Sequence, residues 1–126
     1  MRLLDSNIVI AAAAPDAEAL RADLSAEPCA ISIVTRIEVL GYHRLSTDEE
    51  SGLAEFLSRV ETHALDDSVA ARAITLRQQR KMGLGDAIIA ATALVQGLTL
   101  VTRNVDDFKH VAGLELSNPV AEPESA

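Results

Sequence analysis

The chain has 126 residues, the size of one domain, and 48% of them are hydrophobic, which is enough for a sizeable core. Aromatic residues contribute only 2%, so few side chains can stack on nucleic-acid bases, and the single cysteine, Cys29, excludes an internal disulfide bond. The net charge of −8 argues against nucleic-acid binding through overall charge, so any such function must depend on local charge or on a bound metal.

Short apolar runs alternate with helical patterns along residues 2–116. The predicted strands are the runs at residues 2–4, 29–34, 61–65, 98–102 and 113–116. The predicted helices lie between them, over residues 6–14, 15–24, 35–44, 47–60, 66–82, 86–95 and 104–111. This alternation is typical of an α/β fold. We predict a three-layer α/β/α sandwich with a mainly parallel sheet of four or five strands.

Four residues predict where particular helices begin and end. Thr47 and Glu50 have the spacing of a capping box, which would start an amphipathic helix. Gly83 is expected to end the preceding long helix as a left-handed cap. Gly97 closes "DAIIAATALV", a helix that is apolar around most of its circumference and therefore expected at the centre of the fold.

The chain shows no internal boundary, so we expect one domain over residues 1–117 and a disordered tail over residues 118–126. No stretch resembles a signal peptide or a membrane span. A cytoplasmic protein without membrane contact is therefore expected. One cysteine suits that reducing compartment, and Cys29 is expected to be a buried core thiol.

Acidic side chains stand near the ends of the predicted strands. Since ligands bind at the carboxyl ends of strands in an open parallel sheet, these side chains are expected to converge at one edge. The candidates are Asp5 after the first strand, Glu38 one helical turn past the second, Asp86 at the start of the helix before the fourth, and Asn104, Asp106 and Asp107 just after the fourth.

Each acid also has an ordinary structural explanation. Asp5 and Asp86 could simply cap or start helices, and Asp106 and Asp107 could be solvated first-turn acids. Glu38 is flanked by isoleucine and valine, and a carboxylate on such a partly apolar face is costly unless it is paired or bound to a metal.

A cluster of acids without matching cations predicts a hard divalent ion, Mg²⁺ or Mn²⁺, because all-oxygen ligand sets suit these metals. The three histidines show no metal-ligand spacing, so a zinc site is not expected. The chain also lacks a phosphate-binding G-x-x-x-x-G-K-[ST] loop and a G-x-S-x-G nucleophile motif.

Four segments in chain order resemble the signatures of PIN-domain nucleases: "LLDSNIVI", "ISIVTRIEVLGY", "GLGDAIIAATAL" and "LVTRNVDDF". They extend from Leu3 to Phe108, and the chain most resembles the VapC-type toxins of bacterial toxin–antitoxin pairs. The resemblance implies a Mg²⁺-dependent endoribonuclease that cuts RNA, often transfer or ribosomal RNA. It also implies a homodimer silenced by a cognate VapB-like antitoxin.

The resemblance assigns site residues one by one. Asp5, Glu38 and Asp86 match the family acids directly. The fourth position departs from the pattern, because some relatives carry Asp where this chain has Asn104. We expect Asp107 to be the fourth acid, with Asn104 as a helper and Asp106 as the less favoured choice.

The expected mechanism is hydrolysis by metal-activated water. Asp5 and Asp86 would hold Mg²⁺, for which Mn²⁺ could substitute, while Glu38 and Asp107 would bind a second ion or orient water. Two ions about 3.5–4 Å apart could activate the water and stabilise the leaving oxygen. The products would carry a 5′ phosphate and a 3′ hydroxyl.

A run of bases precedes the "GLGD" turn and could contact RNA phosphates: Arg77, Arg80 and Lys81. A solvated helix end favoured by the helix dipole explains the same residues without RNA. Arginines beside the motif acids are also expected on the rim: Arg36, Arg44 and Arg103.

Two other functions remain open at this point. A catalytically inactive PIN-like module would dimerise and bind the antitoxin without needing a metal. A phospho-receiver domain would need a phosphorylatable Asp after the third strand, where Asp66 and Asp67 stand, and a Lys after the fifth, where none suits.

Overall fold

A computed structural model describes residues 1–119; the remainder of the predicted tail, residues 120–126, lies outside the described residues. The strands are β1 (Arg2–Leu4), β2 (Cys29–Ser32), β3 (Glu61–His63), β4 (Thr99–Val101) and β5 (Leu116–Ser117). The helices are α1 (Ser6–Ala12), α2 (Glu18–Ser25), α3 (Ile33–Leu40), α4 (Thr47–Leu57), α5 (Asp67–Gln79), α6 (Leu84–Gln96) and α7 (Val105–Phe108).

The strands form one parallel sheet in the order β3-β2-β1-β4-β5. The predicted fold class is therefore confirmed. The chain first adds β2 and β3 on one side of β1 and then crosses to add β4 and β5 on the other. The carboxyl ends of β2, β1 and β4 consequently lie side by side, with the reversal of strand order between β1 and β4, where open α/β sheets bind ligands.

Each face of the sheet buries its own hydrophobic core. Leu3, Ala30 and Leu100 point to a core with α5 and α6, while the strand residues next to them point to a core with α1, α2, α3 and α4. The central helix α6 buries the continuous stretch from Ala87 to Ala93, as its apolar circumference predicts. The short central strand β1 therefore lies between two hydrophobic cores.

The second strand is shorter than predicted. Ser32 ends β2 and caps α3, because its hydroxyl accepts a hydrogen bond from the Val34 backbone N–H at 3.1 Å. Ile33 and Val34 therefore begin the helix, although β-branched residues favour strands. A satisfied helix start outweighs that weak preference.

Two predicted helix signals are wrong. The capping box is formed by Ser46 and Glu49, one residue before the predicted pair, since Ser46 is the residue with extended backbone. Gly83 is not a left-handed cap: its φ is −62° and it precedes the first turn of α6. The preceding helix already ends at Gln79, and Arg80 after it has an extended conformation. Gly97 does adopt the left-handed conformation, with φ 68°, as expected.

Cys29 is only half-buried, so the expectation of a fully buried thiol is wrong; its Sγ lies 3.3 Å from the Leu24 carbonyl oxygen. The domain boundary at residue 117 stays a prediction. Among the described residues, none of the helices has both the length and the apolar character needed to cross a bilayer.

Candidate metal centre

Asp5 lies at the carboxyl end of the central strand and is almost completely buried, with 5% of its surface exposed. Its backbone N–H donates to the Val101 carbonyl at 2.9 Å, which extends the pairing between β1 and β4 by one residue. It is also the N-cap of α1, as the ordinary explanation of this residue held. Asp5 is thus a helix cap, and a role in the candidate site would be a second role of the same carboxylate.

Three donors hold the Asp5 carboxylate. Its Oδ1 accepts from the Ser6 backbone N–H at 2.8 Å. Its Oδ2 accepts from the Thr102 hydroxyl at 2.7 Å and from the Asn7 side-chain amide at 3.1 Å. Burial nevertheless raises the pKa of Asp5, because desolvation outweighs these hydrogen bonds, and the charge of Asp107 raises it further.

Glu38 reaches the same edge from α3, although its side chain is exposed. The Ser6 hydroxyl donates to Glu38 Oε1 at 2.9 Å, and a Cβ placed on Gly85 would lie 3.6 Å from the same oxygen. Glu38 therefore lies at this edge, and its role in the site stays a prediction. The apolar neighbours do not bury it, since Ile37 beside it is 65% exposed.

Asp86 lies in the first turn of α6 and is partly buried. Burial raises its pKa first, and the charges of Asp5, Asp107 and Glu38 raise it further, in that order. A charge can act on Asp86 in this way only from nearby. The sequence-predicted acids of four separate segments therefore converge at one edge of the sheet.

The fourth acid in this cluster is Asp107, which acts electrostatically on both Asp5 and Asp86. Asp106 instead pairs with Lys109 at 3.1 Å, with 88% of its side chain exposed, and contributes to neither shift. Asn104 is the N-cap of α7 but forms no side-chain capping bond; its backbone N–H donates to Thr102 at 3.0 Å.

The four acids, Asp5, Glu38, Asp86 and Asp107, have the chemistry of a divalent-cation site. None of them forms an ion pair within residues 1–119, so no basic side chain of the described residues pairs with them to offset their mutual repulsion. As they stand, however, no three His, Cys, Asp or Glu side chains of residues 1–119 are grouped closely enough to hold an ion. The donor set fits Mg²⁺ in kind, and the exposed Glu38 and Asp107 side chains would have to turn inward to share one.

Sequence reasoning missed the polar residues that hold the acids. Thr102 is fully buried and joins β4 to Asp5, while Asn7 also accepts from the Arg103 backbone N–H at 3.2 Å. Ser6 lies 3.2 Å from the Thr35 hydroxyl and so links α1 to α3. The signal was present, because "DSN" and "LVTRN" place small polar residues beside the motif acids.

The predicted basic residues lie at the end of α5 and make no ion pair with the acids. Arg77 folds across the turn to α6, where its Nε donates to the Met82 carbonyl at 3.2 Å. Arg77 and Lys81 border an apolar hollow of about 570 Å³ between α5 and α6. Arg80 is exposed beside them. Their role in RNA contact stays a prediction.

The receiver-like interpretation has no support in the geometry. Asp66 follows β3, but β3 is the edge strand, and the Asp66 carboxylate accepts from the Val69 backbone N–H at 2.9 Å as the N-cap of α5. The acid cluster instead lies at the ends of β1 and β4. Asp66 is therefore a structural cap and not a member of the site.

Comparison with known proteins identifies the family of the chain. Residues 2–114 match the PIN domain. The tRNA(fMet)-specific endonuclease VapC of Shigella flexneri is 34% identical over 122 residues, which cover 89% of this chain and 92% of that protein. Ribonuclease VapC10 of Mycobacterium tuberculosis is 37% identical over 86 residues, and the match covers 64% of this chain but only 63% of that protein.

A solved structure described as a toxin–antitoxin complex from Klebsiella pneumoniae contains a chain with the same fold. It superposes with a TM-score of 0.79 at 34% identity and covers 94% of this chain and 98% of that one. The match to the PIN domain includes all four segments that carry the acids. The chain therefore belongs to the PIN-domain family and, within it, is a relative of the VapC ribonucleases.

Proposed function

We propose that this protein is a metal-dependent endoribonuclease that acts as the toxin of a toxin–antitoxin pair. The observation that carries the proposal is the convergence of Asp5, Glu38, Asp86 and Asp107 at the switch point of the sheet. The names of its relatives, a ribonuclease and a tRNA-specific endonuclease, support RNA as the substrate. Transfer RNA and ribosomal RNA are the first substrates to test.

The proposed resident ion is Mg²⁺, which Mn²⁺ can replace. When bound, it supplies a Lewis acid that activates water toward a phosphodiester. Asp5 and Asp86 are the proposed direct ligands, because they are the two less exposed members of the cluster and both have raised pKa values. Glu38 and Asp107 are exposed, so they can reach a second ion or accept a proton from the attacking water.

RNA would approach the site over the basic side chains that lie near it. The segment that leads from the end of α5 to Asp86 contains Arg77, Arg80 and Lys81. Arg103 lies after β4, and its backbone N–H donates to the Asn7 side chain. Such contacts position a phosphate backbone without reading its sequence. These contacts make RNA binding compatible with the net charge of −8. The bound ion and the nearby basic side chains together offset the negative charge of the acids where RNA binds.

The proposed partners are a VapB-like antitoxin and a second copy of the chain. The Klebsiella relative was solved in a toxin–antitoxin complex, which supports the first partner. Three large apolar side chains, Ile37, Ile74 and Leu84, are each at least 59% exposed and provide surface that a homodimer could bury. We place the protein in the cytoplasm, where its RNA substrates are found.

The proposal is tested by RNA cleavage in Mg²⁺ with Asp5→Asn, which keeps the side-chain shape but removes the charge. We expect a loss of more than about 100-fold, since even the loss of a residue that only orients a ligand costs roughly 10–100-fold. Asp106→Asn is the matched control, because Asp106 is exposed and paired with Lys109. An Asp5→Asn variant that cuts RNA at the wild-type rate would refute the proposal. A wild-type protein that neither binds Mn²⁺ nor cuts RNA would favour the inactive module.

A further inference from the structure

The two carboxylate oxygens of Asp5 accept different numbers of hydrogen bonds, and this difference bears on which metal the site accepts. A carboxylate offers two acceptor positions on each oxygen. Oδ2 uses both, for the Thr102 hydroxyl at 2.7 Å and the Asn7 amide at 3.1 Å. Oδ1 uses one, for the Ser6 backbone N–H at 2.8 Å. Only Oδ1 retains an acceptor position for an ion.

The direction of the Thr102 bond is fixed by its second partner. The Asn104 backbone N–H donates to the Thr102 hydroxyl oxygen at 3.0 Å. A backbone N–H can only donate, so the hydroxyl oxygen is the acceptor there and its single proton is directed to Asp5. Thr102 is fully buried, so water cannot compete for this proton. The bond to Oδ2 is therefore built in rather than incidental.

Asn7 is held in an equally defined way. Its side-chain carbonyl accepts from the Arg103 backbone N–H at 3.2 Å, which leaves its amide group pointing to Asp5 Oδ2. Thr102 and Asn7 thus approach the same oxygen from two different places, the residue after β4 and the first turn of α1. Removing either donor would free one acceptor position on Oδ2.

We propose that Thr102 and Asn7 are positioning residues that restrict Asp5 to one-oxygen coordination and thereby select Mg²⁺ over Ca²⁺. Mg²⁺ demands octahedral geometry and binds through few carboxylates, each by one oxygen, with several waters retained. Ca²⁺ takes six to eight oxygens and readily uses both oxygens of a carboxylate. A site whose most buried acid offers one oxygen meets the first requirement and not the second. This inference rests on the proposed metal-dependent function.

The test is calorimetric titration of the full chain with MgCl₂ and with CaCl₂, without RNA. In Thr102→Val the side chain keeps its shape but loses the donor, so Oδ2 becomes available to an ion. We expect the ratio of the Ca²⁺ dissociation constant to the Mg²⁺ dissociation constant to fall about tenfold, the scale on which such outer partners act. Thr102→Ser keeps the hydroxyl and should restore the wild-type ratio.

Thr92→Val is the matched control. Thr92 is also buried, but its hydroxyl donates to the Ile88 carbonyl at 2.7 Å within α6, away from the acids. Its ratio should equal that of the wild type. Circular dichroism reports whether each variant folds, and Asn7→Ala, which removes the other Oδ2 donor, replaces Thr102→Val if the latter does not.

The outcomes separate the two proposals. Equal weakening of both ions in Thr102→Val, or a ratio that Thr102→Ser does not restore, would show a merely structural role and overturn the inference while leaving the nuclease proposal intact. A wild-type chain that binds Ca²⁺ as tightly as Mg²⁺ would also overturn it. A wild-type chain that binds neither ion would remove the metal site itself.

Discussion

Binding of Mg²⁺ should raise the thermal stability of the protein, and Asp86→Asn should remove most of that rise. By mass action, an ion at 100 times its dissociation constant stabilises the folded state by about 2.7 kcal/mol. The unfolding entropy of a domain of 126 residues is about 0.26 kcal/mol/K, so this corresponds to a rise of roughly 10 °C in Tm.

The same substitution should stabilise the metal-free protein. The pKa of Asp86 is raised by burial and by the charges of Asp5, Asp107 and Glu38, so its ionised form is unfavourable in the folded state. The positive end of α6 offsets part of this, by about 0.3–1 kcal/mol, but the net shift is still upward. Without metal, we therefore expect the neutral amide of Asp86→Asn to have the higher Tm.

The pH dependence has a definite sign. A carboxyl whose folded pKa is raised favours folding fully below its ordinary value of 3.8, and this contribution is lost as the pH rises through the raised pKa. The advantage of Asp86→Asn over the wild type should therefore grow as the pH increases above 3.8 and disappear in saturating Mg²⁺.

Differential scanning fluorimetry with and without MgCl₂ measures all three effects. Asp106→Asn, a carboxylate outside the cluster, should respond to Mg²⁺ as the wild type does. An equal Mg²⁺ response in Asp86→Asn, or a metal-free Asp86→Asn less stable than the wild type at neutral pH, would contradict the reasoning.

Three other predictions concern single residues. Asp107→Asn should lose RNA cleavage more strongly than Asp106→Asn under the same conditions, and the opposite order would assign the fourth acid to Asp106. Ser6→Ala releases Glu38 and should lower kcat by about tenfold, the scale of outer partners, with the fold unchanged by circular dichroism. Arg77→Gln should weaken RNA binding and reduce the slope of log K against log salt by about 0.7, as expected for one contact to a single strand; an unchanged slope would remove Arg77 from the RNA surface.

The sequence was sufficient for the architecture because the fold depends on hydrophobic periodicity, which is local. Alternating apolar runs identified five strands, and the rule that ligands bind at carboxyl ends placed Asp5, Glu38 and Asp86 at one edge. The family resemblance favoured Asp107 over Asp106 and Asn104 as the fourth acid, which stays a prediction. The first two steps need only the order and spacing of residues, whereas the third also needs the known pattern of the family.

The contacts that hold the site could not be predicted in this way. Thr102 and Asp5 are 97 positions apart, and nothing local to either residue indicates a 2.7 Å bond between them. The predicted starts of two helices were wrong for a related reason. Where several small polar residues follow one another, each of them can act as the cap. Ser32 and Ser46 are the caps because their backbone is extended, and only the folded chain defines that conformation.

Asp5 illustrates how far the fold goes in accommodating a buried charge and where it stops. Hydrogen bonds from Thr102, Ser6 and Asn7 lower its pKa, and without them a carboxyl with 5% exposure would favour its neutral form much more strongly. Desolvation still outweighs these hydrogen bonds, so the pKa of Asp5 is raised and its negative charge is only partly stabilised. An arginine beside Asp5 would have completed its partners and made it a purely structural ion pair. The chain instead adds Glu38, Asp86 and Asp107, which increase the negative charge and leave a cation as the partner that relieves it.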